Sequence, residues 1–292
     1  MKKLTEKARG TAVFIFFIIL LTAGMTVAQD IELIIRGDDM GMTQRSLIAF
    51  ERGFNEGVLT CGSIIVPGAW FEGVAELCKR NPGWCTGVHL CLVGEWHGFR
   101  WRPVLPWDKV SSIVDEDGFL YTYPDELFSH NPKLDEIDAE LRAQIELAKK
   151  KGVNVQYIDK HYMSLSGYPG LGDVIKNIGH DYDLPISSLM GEKRVRGIYT
   201  VPVEQKRDVA VKMLEELEPG LWLWVCHPGI DSPEQYALIH TEPGSIFIEG
   251  GVGAHRAEVL KTLKSLELKS IILKKGIKLT NYRELGKEKK KR

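Results

Sequence analysis

Ile31-Glu32-Leu33-Ile34-Ile35-Arg36-Gly37-Asp38-Asp39-Met40-Gly41 is an apolar run that ends in two adjacent carboxylates and a glycine. Consecutive Ile and Leu suit a strand covered on both faces, as in a parallel sheet flanked by helices. The Asp pair then stands at the strand's C-terminal end, where α/β folds collect ligands and catalytic groups. A single Asp there would read as the cap of the next helix. Two side by side repel unless a cation or a shared proton relieves them.

Outward from this stretch the chain alternates strands and helices. Strands are expected at Ile31–Gly37, Thr60–Val66, Thr86–Val93, Val155–His161, Leu184–Leu189, Leu221–Cys226 and Ile277–Asn281. Helices are expected from Thr43 to Glu56, at Trp70–Arg80, Leu134–Lys150, Gly170–Gly179 and Val203–Leu217, and at His255–Lys275 with a break. The expectation is one α/β domain, a TIM-like (β/α) barrel that is seven-stranded, distorted, and closed or nearly so. Two long interruptions, Gly94–Pro132 and Asp231–Gly253, both leave strand C-termini and should rise over the same face.

Residues 1–28 have the form of an export signal, with Lys2, Lys3, Lys7 and Arg9 before an apolar core and Thr26-Val27-Ala28 at the cleavage position. The core is short for an uncleaved membrane anchor, which needs roughly 20 apolar residues. Removing this segment moves the formal net charge from −1 to −4. The expected product is periplasmic or extracellular, with the barrel over residues 29–286 and a solvated basic tail at 287–292. Mild acidity gives no reason to expect nucleic acid. No stable membrane partner is expected after cleavage, and a homodimer is left open. Of the five cysteines, Cys61, Cys91 and Cys226 sit in strand-like runs as small buried hydrophobes. Cys78 and Cys85 form the one pair considered for a disulfide.

Four strand ends carry ionisable groups: Asp38-Asp39, His89, Asp159 with His161, and His227. A lone strand histidine is more often structural than a ligand, but these recur at one end of the sheet. A carboxylate and two imidazoles form a facial triad with open positions, suited to Zn²⁺, Mn²⁺, Co²⁺, Ni²⁺ or Fe²⁺, with Mg²⁺ not excluded. A metal so held lowers the pKa of bound water and polarises a carbonyl. A second carboxylate can take the water's proton, and a histidine across the site can protonate a leaving amine. That combination hydrolyses an amide. The aromatic loop with Trp96 and Trp101 offers ring faces suited to sugars, against the plainer reading of lid packing. Trp96, Trp101 and Asp159 are the candidate substrate contacts. No Lys/Arg cluster or phosphate loop adjoins the motifs, which argues against phosphoester chemistry.

At these residues the chain resembles the YdjC-type (ChbG/HpnK) carbohydrate deacetylases, a branch of the NodB-like fold. The resemblance runs through Asp38-Asp39-Met40-Gly41, Gly57-Val58-Leu59-Thr60, Gly87–Leu90, Asp159–His161, His227-Pro228 and Gly276–Tyr282. It implies one divalent ion on Asp39, His89 and His161, with Asp38 as general base and His227 as acid or oxyanion partner. The implied reaction removes an N-acetyl group from an amino sugar of an oligosaccharide or glycan. The chain departs from the pattern at Tyr162, Met163 and Leu165, where the family often has further histidines, and at Pro67. It also lacks the Arg often found near Ile186–Met190. An O-deacetylase or phosphoesterase on the same triad, or a glycan-binding protein without catalysis, are the rival readings.

Overall fold

The structure is a computed structural model describing residues 30–163, 166–241, 245 and 251–289; the export signal expected over 1–28 lies outside the described residues. The strands are β1 (Ile31–Met40), β2 (Cys61–Ile64), β3 (Thr86–Leu90), β4 (Val155–Lys160), β5 (Lys193–Arg194), β6 (Gly220–Cys226) and β7 (Lys278–Leu279). The helices are α1 (Gln44–Asn55), α2 (Phe71–Arg80), α3 (Pro124–Ser129), α4 (Leu134–Lys150), α5 (Leu171–Asp181), α6 (Lys206–Glu215), α7 (Pro233–Tyr236), α8 (Val252–Lys264), α9 (Leu266–Lys274) and α10 (Tyr282–Lys289). Thr43 caps α1 by accepting from the Ser46 amide at 3.0 Å. Ser265 separates α8 from α9 and caps the latter. The chain is helical in α10 through Lys289, past Gly286 where a solvated end is expected from the sequence.

All strand pairs are parallel, in the order β4-β3-β2-β1-β6-β5, with β7 beside the start of β1. The sheet is not the closed seven-stranded barrel expected from the sequence. It is a curled sheet whose edge strands, β4 and β5, do not pair with each other. The fifth strand is also displaced. Leu184–Leu189 contributes only the bridge of Ile186 to Ile158, and the strand proper is the charged Lys193–Arg194 against β6. An edge strand so short needs no apolar alternation, so hydrophobicity does not mark it.

β1 is central, and Leu33, Ile34 and Ile35 are fully buried, as a two-sided strand requires. Gly37 gives Phe50 of α1 room, since a Cβ there would lie 2.7 Å from its ring. All five cysteines are buried free thiols, and the sulfur neighbour of Cys85 is Cys61 on the adjacent strand, not Cys78. The two long loops meet above the sheet, where the His97 amide donates to the Ile239 carbonyl at 2.8 Å. Among the described residues no helix is long and apolar enough to cross a membrane.

Candidate metal centre

In a regular strand Asp38 and Asp39 would point to opposite faces. They do not, because Asp39 adopts a left-handed backbone with φ of 71°, and the pairing of β1 with β2 shifts register between Gly37 and Met40. Such a bulge re-aims a side chain, and Asp is among the residues that tolerate this conformation. Both carboxylates thereby enter one buried pocket, with exposures of 4 % and 1 %.

The ends of β3, β4 and β6 bring the histidines to them. His89 and His161 lie with ring centroids 5.1 Å apart, nearly perpendicular. Asp39 Oδ1 is 3.7 Å from His89 Nε2 and 3.4 Å from His161 Nδ1. Donors bound 2.1 Å from one tetrahedral ion lie about 3.4 Å apart. Asp39 Oδ2 accepts from Arg256 Nη2 at 2.6 Å, so the two oxygens have separate duties. Asp39 Oδ1 and His161 Nε2 are buried without a hydrogen-bond partner among the described residues. A buried carboxylate oxygen aimed between two imidazoles, with nothing to satisfy it, fits a cation. These residues therefore fit a divalent ion.

A second grouping of Asp38, His89 and Asp159 is close enough to be considered. It already contains a cation. Arg36 Nη2 stands 2.6 Å from Asp38 Oδ2 and 2.9 Å from Asp159 Oδ2. The first grouping is the better metal centre for that reason.

Each imidazole has a carboxylate behind it. His89 Nδ1 is 2.9 Å from Asp159 Oδ2, and Ser63 donates to the same oxygen at 3.2 Å. His161 Nε2 faces Glu95 Oε2 at 3.7 Å. Carboxylates behind ligating histidines fix the ring and its tautomer. Asp159 is thus a buried partner of His89 and Arg36, and it lines the same cavity as they do. Glu95 lies in the aromatic loop and holds an uncommon left-handed φ of 66°. Its amide is tied to the Thr122 carbonyl at 2.8 Å.

The protonation states follow from this crowding. Burial raises the Asp38 carboxyl, but Arg36 and then His89 overcome it and hold it below its ordinary value. Burial likewise opposes the charge on Asp39, and Arg256 with His161 holds it well below the usual range. Burial disfavours a charged His89, yet Asp159 and Asp38 push it up to about 9. The carboxylates that would keep a proton on His89 would equally hold a divalent ion in its place. His227 goes the other way: burial lowers it to about 4, so it is a neutral imidazole at neutral pH. It lies against Tyr199, ring centroids 4.5 Å apart, and its Nδ1 has no hydrogen-bond partner among the described residues.

All five expected site residues, Asp38, Asp39, His89, His161 and His227, gather here. Trp96 and Trp101 do so differently. Trp96 is fully buried beneath His240 and Arg256. Trp101 is 4 % exposed and packs edge-on to His161. These two rings pack into the wall of the site, the lid-packing arrangement that the sequence also allowed. Arg36, Glu95, Tyr199 and Arg256 were not signalled by any motif, and arginines do adjoin the site although none clusters beside the motifs in sequence. Arg36 is the exception that spacing could have found, since residues two apart on a strand share a face.

The family model described as YdjC-like protein matches residues 32–274. Among curated relatives, a carbohydrate deacetylase of Brevibacillus brevis is 25 % identical over 267 residues, covering 87 % of this chain and all of the relative. One from Thermus thermophilus is 29 % identical over 232 residues, 70 % of this chain and 80 % of the relative. One from Enterococcus faecalis is 28 % identical over 269 residues, 87 % and 98 % of the two chains. Among solved structures, an Enterococcus faecalis protein assigned provisionally to cellobiose-phosphate cleavage superposes with a TM-score of 0.71 at 23 % identity, covering 88 % of this chain and 99 % of that one. That likeness concerns the fold. The family match takes in β1 through α9, every strand end that supplies a site residue, and the chain belongs to the YdjC-like protein family.

Proposed function

We propose that this protein is an enzyme, a metal-dependent carbohydrate deacetylase that removes N-acetyl groups from an amino-sugar-containing oligosaccharide or glycan. The observation that carries the reading is the partnerless Asp39 Oδ1 between His89 and His161, in a chain whose curated relatives bear the name carbohydrate deacetylase. The N-terminal export pattern supports a substrate outside the cytoplasm.

Asp39, His89 and His161 would hold the divalent ion, which when bound supplies Lewis-acid polarisation and lowers the pKa of water. Asp38 is ionised and stands 3.8 Å from His89 Nε2, beside the metal ligands. It takes the proton of the water that adds to the amide carbonyl, and delivers it to the sugar nitrogen as the C–N bond breaks. Free amine and acetate leave. His227 is neutral, so it serves by donating its N–H to the oxygen that gains charge rather than by acting as the acid. The guanidinium of Arg256 keeps Asp39 anionic and fixes which oxygen faces the histidines.

The test is acetate release from N-acetylated oligosaccharides by the purified protein with Zn²⁺, Mn²⁺, Co²⁺ or Mg²⁺, and its loss on chelation. Acetate only from O-acetyl esters would replace the amide assignment by an ester one. Glycan binding without release would make the protein a lectin.

A further inference from the structure

Behind Arg36 a single line of hydrogen bonds runs away from the metal centre. Its Nη1 donates to Ser187 Oγ at 2.5 Å, Ser187 Oγ stands 2.5 Å from the Tyr282 hydroxyl, and Tyr282 donates to Glu192 Oε1 at 2.8 Å. The four residues come from β1, the stretch between α5 and β5, the start of α10 and the position just before β5. Ser187 lines a cavity of about 410 Å³ together with Arg36, Asp38 and His89. Tyr282 stands behind it, fully buried, with its ring 4.6 Å from that of Tyr157.

The two ends of this line fix its direction. A guanidinium only donates, a carboxylate only accepts, and each hydroxyl has one proton. Tyr282 gives its proton to Glu192, so the Ser187 proton goes to Tyr282 and Ser187 accepts from Arg36. The Ser188 and Met190 amides hold the Glu192 carboxylate at 2.6 and 2.8 Å. Aligned hydrogen bonds in a buried site strengthen one another, and burial pushes the Tyr282 hydroxyl well above the ordinary tyrosine range, so it keeps its proton.

The line decides which acid Arg36 serves. Asp38 takes Nε and Nη2 at 2.7 and 2.6 Å, while Asp159 reaches Nη2 alone at 2.9 Å. Contacts along one edge leave a planar guanidinium free to turn its fork toward the second acid. Nη1 on Ser187 is a third point, and it removes that freedom.

We propose that Tyr282 is a positioning residue for the reaction: through Ser187 it fixes the Arg36 guanidinium so that the fork stays on Asp38, the general base. This rests on the deacetylase reading of the same site. Tyr282 acts from behind the cavity wall, by keeping the Asp38 carboxylate turned as the attacking water requires.

Tyr282→Phe keeps the ring against Tyr157 and removes only the hydroxyl; Ser187→Ala removes the link itself. With the most active of Zn²⁺, Mn²⁺, Co²⁺ and Mg²⁺ added, each should lower kcat for acetate release from an N-acetylglucosamine oligomer about three- to tenfold, the worth of one hydrogen bond. KM and bound metal should stay unchanged. Arg36→Lys retains the charge but has no fork to fix. On that background Tyr282→Phe should change kcat by no more than about twofold, because the two substitutions act on one path. Unchanged kcat in Tyr282→Phe, metal loss with it, or an equal fall in the wild-type and Arg36→Lys backgrounds overturns the proposal. A wild type that releases no acetate overturns the deacetylase reading instead, and the positioning is then read from Arg36 itself. In protein labelled with ¹⁵N-arginine, zinc-loaded or metal-free, the Arg36 Nη1 protons should be resolved in wild type, broadened in Tyr282→Phe and lost in Ser187→Ala. Coincident spectra of wild type and Tyr282→Phe overturn the positioning.

Discussion

Arg36 grips both oxygens of Asp38 from two residues away on the same strand, Nε to Oδ1 at 2.7 Å and Nη2 to Oδ2 at 2.6 Å. The same guanidinium donates to Ser187 and reaches Asp159, the partner of His89. The chain lacks an arginine around Ile186–Met190, and this one, inside β1, supplies the base with its counter-charge.

Removing that charge has a signed effect on pH dependence. Arg36 depresses Asp38 against burial, so in Arg36→Met only the histidines, His89 first, still oppose burial and the Asp38 carboxyl rises. The acid limb of kcat/KM should move to higher pH, by one or more units, with the alkaline limb unmoved. Stability follows the same sign. Asp38 is lower in the folded than in the unfolded state, so its contribution is complete at neutral pH and is lost as pH falls below about 3.9 through the folded value. Arg36→Met leaves a buried carboxylate with half its neighbours gone and should cost about 3–5 kcal/mol in chemical denaturation. Arg36→Lys keeps the charge and should fall between. An acid limb identical in wild type and Arg36→Met would remove Arg36 from this role.

The two aspartates should separate by what they lose. Asp39 Oδ1 faces both histidines, whereas Asp38 is held by Arg36. Asp39→Asn should lower bound metal, and it also strands Arg256, so the melting temperature should drop as well. Asp38→Asn should retain metal and lose turnover, by about 10²-fold or more for a missing general base. Metal content by elemental analysis beside acetate release reads both. Equal metal loss in the two variants would cancel the division of labour.

The sequence exposes the strand ends but not what stands behind them. The buried run before Asp38 places β1, and three further strand ends carry the histidines, because a two-sided parallel strand has an unmistakable composition. Arg256 comes from α8, 217 residues from Asp39, and no spacing rule reaches that far. The Trp96 and Trp101 loop was legible as aromatic, with sugar contact and lid packing both open, since composition does not tell which ring face is covered. β5 was misplaced because Leu184–Leu189 is the more apolar stretch, whereas the pairing on β6 is made by Lys193–Arg194 at a solvent-facing edge.

His227 is the residue whose neutral state matters. Burial holds it at about 4, so across the working range it offers one N–H and no charge. His227→Ala should lower kcat by about 10²–10³-fold, the cost of one oxyanion donor, with metal content and KM nearly unchanged. His227→Gln, which retains an N–H donor, should recover part of that loss. If His227 acted as a protonated acid, Gln would recover nothing, and the kcat profile would show a fall on its alkaline side that His227→Gln abolishes.

Glu95 allows one substitution to oppose two effects. Its carboxylate stands 3.7 Å from His161 Nε2, and its backbone is left-handed at φ of 66°. Glu95→Gln keeps the shape and removes the charge behind the ring; metal affinity should fall about 10–100-fold in a calorimetric titration. Glu95→Gly removes the carboxylate and the backbone strain together. Glycine adopts this φ freely, where another residue pays of order 1–3 kcal/mol. Its metal affinity should therefore fall as in Glu95→Gln, while its metal-free stability falls less than that of Glu95→Ala, which loses the carboxylate and keeps the strain. If Glu95 only packed the loop, metal affinity would stay at the wild-type value in all three. A carboxylate that sets the ring would also show in the ¹⁵N shifts of His161, with the tautomer bearing the proton on Nε2 dominant in wild type and mixed in Glu95→Gln.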